Sequence, residues 1–169
     1  MFVSRLILFS SFLIFANGAF SLDGSISKES EKMVLKGKAL LEYSIFKIDV
    51  YIASLYVGQS DNSKMLQLSY QRNIKKDVSI EGWKKGFSTL PEEYRVKNQD
   101  SINWIFENTI DNKKGDTFKI FQVNKKLYFI HNDKIIASTD NKVIAHLAFY
   151  PWLGEKPIDE NFKQKLLGN

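Results

Sequence analysis

The chain has 169 residues, a formal charge of +5 and no cysteine. The missing cysteines exclude disulfide staples, thiol nucleophiles and zinc–thiolate sites, so stability must come from the core alone. The charge suits solubility. The lysines fall as scattered doublets (Lys75-Lys76, Lys84-Lys85, Lys113-Lys114, Lys125-Lys126) rather than as the focused stripe that nucleic-acid binding requires.

Residues 1–21 run from a positive Arg5 through an apolar stretch at 6–15 to small residues ending in Ala19 and Ser21. That order predicts a cleavable secretory signal at 1–21, with Gly18 as the alternative cleavage point. The apolar stretch is about 10 residues long, well short of the roughly 20 that span a bilayer. The expected product is therefore a single domain, 22–169, with no membrane anchor. The sequence has no Asn-x-Ser/Thr acceptor, and the expected address is the periplasm of a Gram-negative bacterium.

The domain begins with alternation. Strands are predicted at 32–41, 46–57 and 65–71, and Phe46, Ile48, Val50, Ile52 and Tyr56 share one face of the second. Its other face carries Lys47, Asp49, Tyr51, Ala53, Leu55 and Val57. Both faces are largely apolar, which predicts a central strand covered on both sides. The period then changes to helical for Val78, Ile80, Trp83, Phe87 and Leu90, and again after Pro91 for Ile102, Ile105, Phe106 and Ile110. Glu92-Glu93 read as first-turn acids complementing the helix dipole. A turn at 112–116, strands at 117–123, 127–130 and 135–138, and helices at 141–152 and from Asp159 complete the chain. Pro91, Pro151 and Pro157 are expected at element boundaries, and no repeat or linker divides the domain. The layout is α+β, with helices packed on one face of a sheet.

The chemistry is sparse. There is no G-x-S-x-G elbow and no glycine-rich phosphate loop, which disfavours serine hydrolases and nucleotide cofactors. His131 is expected in an exposed hairpin turn and His146 as a satisfied helix histidine; two histidines so far apart predict no metal site. What remains is a polar group among apolar strand positions: Asp49 and Tyr51 on the second strand, with Arg72 closing the third. One reading makes Asp49 and Arg72 a structural ion pair with Tyr51 packed beside them. The other places Tyr51, Asp49 and Arg72 on a pocket that fixes the polar end of an apolar ligand. Most aromatics, Trp83 and Trp104 included, are assigned to the core.

Particular motifs point further. Leu35-Lys36-Gly37-Lys38-Ala39-Leu40-Leu41, followed by the segment from Phe46 through Val57, resembles the opening hairpin of bacterial chalcone isomerase-like proteins. Lys114-Gly115-Asp116-Thr117, His131-Asn132-Asp133-Lys134, Phe149-Tyr150-Pro151-Trp152-Leu153-Gly154 and Lys165-Leu166-Leu167-Gly168 resemble that family's middle and closing motifs. The resemblance implies the chalcone isomerase fold, a large antiparallel sheet with helices over one face and a ligand cleft between. True chalcone isomerases close a flavonoid ring by intramolecular oxa-Michael addition, using an arginine just after the small-residue turn of the first hairpin. Here that position is Leu41. A ketone-polarising threonine falls at Tyr51, and a further Ser/Thr at about Ala145. Without the groups that stabilise a developing oxyanion, the fold is expected without the reaction.

The leading expectation is thus an exported, non-catalytic domain, free of cofactor and metal, that binds a small apolar ligand such as a fatty acid. The alternatives are an isomerase or lyase using Tyr51 as acid or base on another small molecule, and an interaction module of the cell envelope.

Overall fold

A computed structural model of the chain describes residues 24–43, 48–58 and 63–169. The predicted signal, 1–21, lies outside the described residues. A short helix α1 (Gly24–Glu31) leads into β1 (Val34–Tyr43), β2 (Ile48–Val57) and β3 (Lys64–Tyr70). Helices α2 (Lys76–Phe87), α3 (Glu92–Lys97) and α4 (Gln99–Glu107) follow, then β4 (Thr117–Val123), β5 (Lys126–His131) and β6 (Lys134–Thr139). Helices α5 (Lys142–Leu153) and α6 (Glu160–Leu166) close the chain. The strands form one antiparallel sheet in the order β1-β2-β3-β4-β5-β6.

Local chemistry accounts for the joints. The hairpins β4–β5 and β5–β6 turn through residue pairs with positive φ: Asn124 (50°) with Lys125 (65°), and Asn132 (46°) with Asp133 (63°). Such primed turns match the twist of antiparallel strands, and asparagine and aspartate tolerate them best. Asn141 caps α5 by accepting from Val143 N–H at 2.8 Å, and Asp159 caps α6 from Phe162 N–H at 2.8 Å. Glu92 and Glu93 occupy the first turn of α3, as the dipole argument expects. Pro151 lies inside the last turn of α5 rather than at its boundary.

The main core lies between one sheet face and α2–α6. Leu66, Ile120, Leu127 and Phe129 from the sheet meet Leu147 and Leu166 from the helices, all wholly buried. Two close approaches depend on glycine. A Cβ on Gly86 of α2 would stand 2.5 Å from Pro151 Cβ of α5, and one on Gly37 of β1 would run into the Lys165 and Leu166 carbonyls of α6.

The reverse face differs from the sequence expectation. Helix α1 packs there, its Ile26 in a cluster with Met65, Phe121, Val123 and Ile130 of β3–β5, against which Tyr56 of β2 and Ile135 of β6 also pack. Strand β2 is covered on its Tyr51, Ala53 and Leu55 face, but Ile52 on the reverse stays 37% exposed. The apolar alternation of β2 overstated its cover at Ile52 alone, since on the same face Ser54 is buried and Tyr56 packs against the Ile26 cluster.

Candidate functional site

At the end of the sheet where β2 begins and β3 ends, the helices stand off and leave a cavity of about 810 Å³. A β-bulge shapes its floor. Leu41 pairs with Tyr51 and Glu42 with Asp49, so Val50 has no partner across the ladder. The extra residue breaks the period-two alternation, and Val50 and Tyr51, neighbours in sequence, both line the cavity.

Aromatic rings build the wall. Tyr51 is cross-strand partner to Tyr70, and their rings meet edge to face at 5.7 Å. The Trp152 indole N–H of α5 donates to the Tyr51 hydroxyl at 2.9 Å, and Trp152 packs at 5.1 Å against Trp83 of α2. Leu68, Ile74, Phe118 and Ile158 supply further apolar lining.

The buried polar groups are neutral. Burial pushes the Tyr70 phenol up to about 12, against a smaller opposing effect of the neighbouring Ser79 hydroxyl. Burial likewise raises Tyr51 well above the ordinary tyrosine value; the Trp152 bond opposes the rise and Tyr70 adds to it. Ser79 Oγ, though beside Tyr70, meets no partner at hydrogen-bonding geometry among the described residues. Asn112 is 3% exposed, and its backbone bridges Ile74 in both directions at 2.8 Å. Its Nδ2 donates to the Ile110 carbonyl at 3.1 Å, which leaves Oδ1 buried and without a partner among the described residues. Charge is confined to exposed side chains of the lining: Glu42, Arg72, Glu81, Lys85 and Asp159.

Of the three residues singled out in the sequence, Tyr51 and Arg72 line the cavity and Asp49 does not. Tyr51 is buried, while Arg72 is exposed in the bend after β3. Asp49 is also exposed, on the far side of the bulge, and no ion pair joins it to Arg72 among the described residues. Leu41 lies on the lining, whereas Ala145 is buried in α5 away from it. Sequence reading missed Tyr70, Ser79, Asn112 and Trp152. Tyr70 alone carried a signal, two residues before Arg72 and of the same residue type as Tyr51.

Of the histidines, His131 differs from expectation, while His146 lies on a helix as expected. His131 ends β5, half-buried, with Nε2 at 3.1 Å from Asp116 Oδ2. His146 is exposed on α5, its ring 5.8 Å from that of Tyr150. The middle motifs form a single clamp. Asp116 accepts from Lys113 N–H at 2.7 Å and from Asn132 Nδ2 at 2.8 Å, and Asn132 Oδ1 accepts from Thr117 N–H at 2.8 Å. Backbone bonds from Tyr70 N–H to Asp116 and from Gly115 N–H to Tyr70 tie this clamp to the cavity wall. No metal-binding cluster occurs among the described residues, and no helix there is long and apolar enough to cross a membrane.

The sheet, the thick helix layer α2–α6 over one face and the cleft between them define a chalcone isomerase-type fold. The chain belongs to the chalcone isomerase-like family, whose sequence model matches residues 17–168. Among solved structures it is similar to a fatty-acid binding protein of Arabidopsis thaliana. That likeness has a TM-score of 0.62 at 13% identity, covering 81% of this chain and 87% of the plant protein. Comparison with curated protein sequences finds no match.

Proposed function

We propose that the domain binds a small, largely apolar ligand in this cavity and releases it unchanged. The observation that carries the reading is the cavity itself: about 810 Å³, walled by aromatic and aliphatic side chains, with a few convergent polar groups. A fatty acid is the first ligand to test, because the structurally similar plant protein is named for binding one. Arg72 and Tyr51 are the candidates for its polar end.

Conversion of the ligand is disfavoured by what surrounds Tyr51. Its phenol is held protonated, with no cation buried beside it among the described residues to support a phenolate or an oxyanion. The remaining parts of the reading are export through a signal at 1–21 and residence in the periplasm, supported by the order of charged, apolar and small residues there.

The test is native mass spectrometry with lipid extraction on the domain purified from an envelope fraction. A defined co-purifying small molecule is expected. A ligand at a hundred times its Kd adds about 2.7 kcal/mol, a Tm rise of roughly 5–10 °C for a domain of this size. An empty protein, unmoved in Tm by fatty acids and by other apolar amphiphiles, overturns the proposal.

A further inference from the structure

Within the ligand-binding reading, on which this step rests, the lining narrows the class of ligand. The charged residues that face the cavity from β1, the bend after β3, α2 and the start of α6 are Glu42, Arg72, Glu81, Lys85 and Asp159. Carboxylates therefore outnumber cations, and Lys84 already pairs with Glu81 at 2.7 Å on the α2 surface. Every one of these five is exposed. A carboxylate taken into the cavity would lose its water and meet no buried cation in exchange, which is the costly arrangement for an ion.

The buried groups ask for something else. Tyr51 accepts from Trp152, and its own hydroxyl hydrogen has no acceptor among the described residues. Tyr70 stands against it, edge to face. Asn112 Oδ1, apart from the phenols, and Ser79 Oγ, beside Tyr70, belong to lining residues and are buried without a hydrogen-bond partner among the described residues. Asn112 Oδ1 needs a donor and Tyr51 needs an acceptor. A hydroxyl can meet either need, and its desolvation costs far less than that of an ion.

We infer that the cavity takes its ligand by an uncharged O–H head group, an alcohol or a carboxylic acid in its protonated form, and discriminates against the carboxylate. The hydroxyl lies inward toward Tyr51 and Tyr70, and the chain or ring runs along Leu68, Phe118 and the Trp83–Trp152 wall.

Trp83 and Trp152 line the cavity while Trp104 packs on Phe129, so intrinsic tryptophan emission reports occupancy. The experiment titrates the whole domain with 1-octanol and with octanoate. At about pH 7.5 octanol is expected to bind at least tenfold more tightly. At about pH 5, close to the carboxyl pKa, octanoate gains affinity several-fold while octanol does not. Tyr51→Phe and Tyr70→Phe, which keep the rings, each weaken octanol about five- to tenfold. Octanoate bound as tightly as octanol at about pH 7.5 overturns the inference; its loss in Arg72→Ala then puts the head group at the exposed rim. If neither compound changes the emission, the ligand-binding reading itself fails, and this inference with it.

Discussion

Two halves of one sheet face are covered by the same helix layer and yet packed differently. Over β4 and β5, Phe129 sits at 5.2 Å from Phe118 and 5.3 Å from Trp104, and Leu127, Ile120 and Leu147 close the remaining space. Over the ends of β2 and β3 the helices leave the cavity, and there two of the three buried side-chain polar atoms without partners among the described residues, Ser79 Oγ and Asn112 Oδ1, are found. Close packing is the default for protein interiors, and both voids and orphaned polar atoms cost stability. The filled half supplies stability and the open half spends some of it on space.

The sharpest way to break that comparison is a matched pair of truncations. Leu127→Ala in the filled half should cost about 3–5 kcal/mol, because it leaves a new void among rigid neighbours. Leu68→Ala, equally buried but bordering the existing cavity, should cost only about 2 kcal/mol. Urea denaturation measures both, and equal costs would show that the cavity is not open in solution.

A smaller effect than that of Leu127→Ala isolates the polar wall. Trp152→Phe removes the donor to Tyr51 together with part of the buried indole, and should cost about 2–3 kcal/mol by thermal or urea unfolding. A ligand hydroxyl that bonds Tyr51 should recover part of this loss, whereas truncations in the filled half gain nothing from ligand.

The loop between α4 and β4 borders both halves, and its clamp gives a pH dependence. Lys113 N–H, then the Asn132 side chain, then His131 hold the Asp116 carboxyl below the ordinary carboxylate range. A pKa lowered by folding means stability that is present above the unfolded value, about 3.9, and lost as pH falls through the folded one. Asp116 should therefore add a small fall in Tm in that acid range, and Asp116→Asn should remove this part of the fall while lowering Tm slightly at neutral pH. The smallest effect lies farthest from the cavity. Lys125, at φ 65° in the β4–β5 turn, should gain a few tenths to about 1 kcal/mol on change to glycine, with ligand affinity unaltered.

Much of the fold was legible because it is local. Period-two alternation marked the strands, helical spacing marked α2, α4 and α5, and Asn124-Lys125 and Asn132-Asp133 marked turns by residues that accept positive φ. Helix α1 escaped because Ile26 is the single apolar residue in Gly24–Glu31, and one apolar residue has no period.

The candidate site was only partly legible. Tyr51 and Arg72 stood out as polar residues at strand positions, and Asp49 stood out for the same reason, yet the bulge at Val50 turns Asp49 away. A bulge depends on how two strands pair, so the sequence of one strand does not announce it.

The sequence by itself determined the order of the elements, the amphipathic faces of the sheet and the family motifs, since these rest on the conformational preferences of near neighbours. Only the tertiary structure decided which polar groups share a wall. Tyr51 and Trp152 meet across 101 residues, and Tyr70 and Asn112 join that wall through the clamp and the Ile74 bridge. Cavities of this kind are set by where packed layers separate, a property of the whole assembly that no local run of residues encodes.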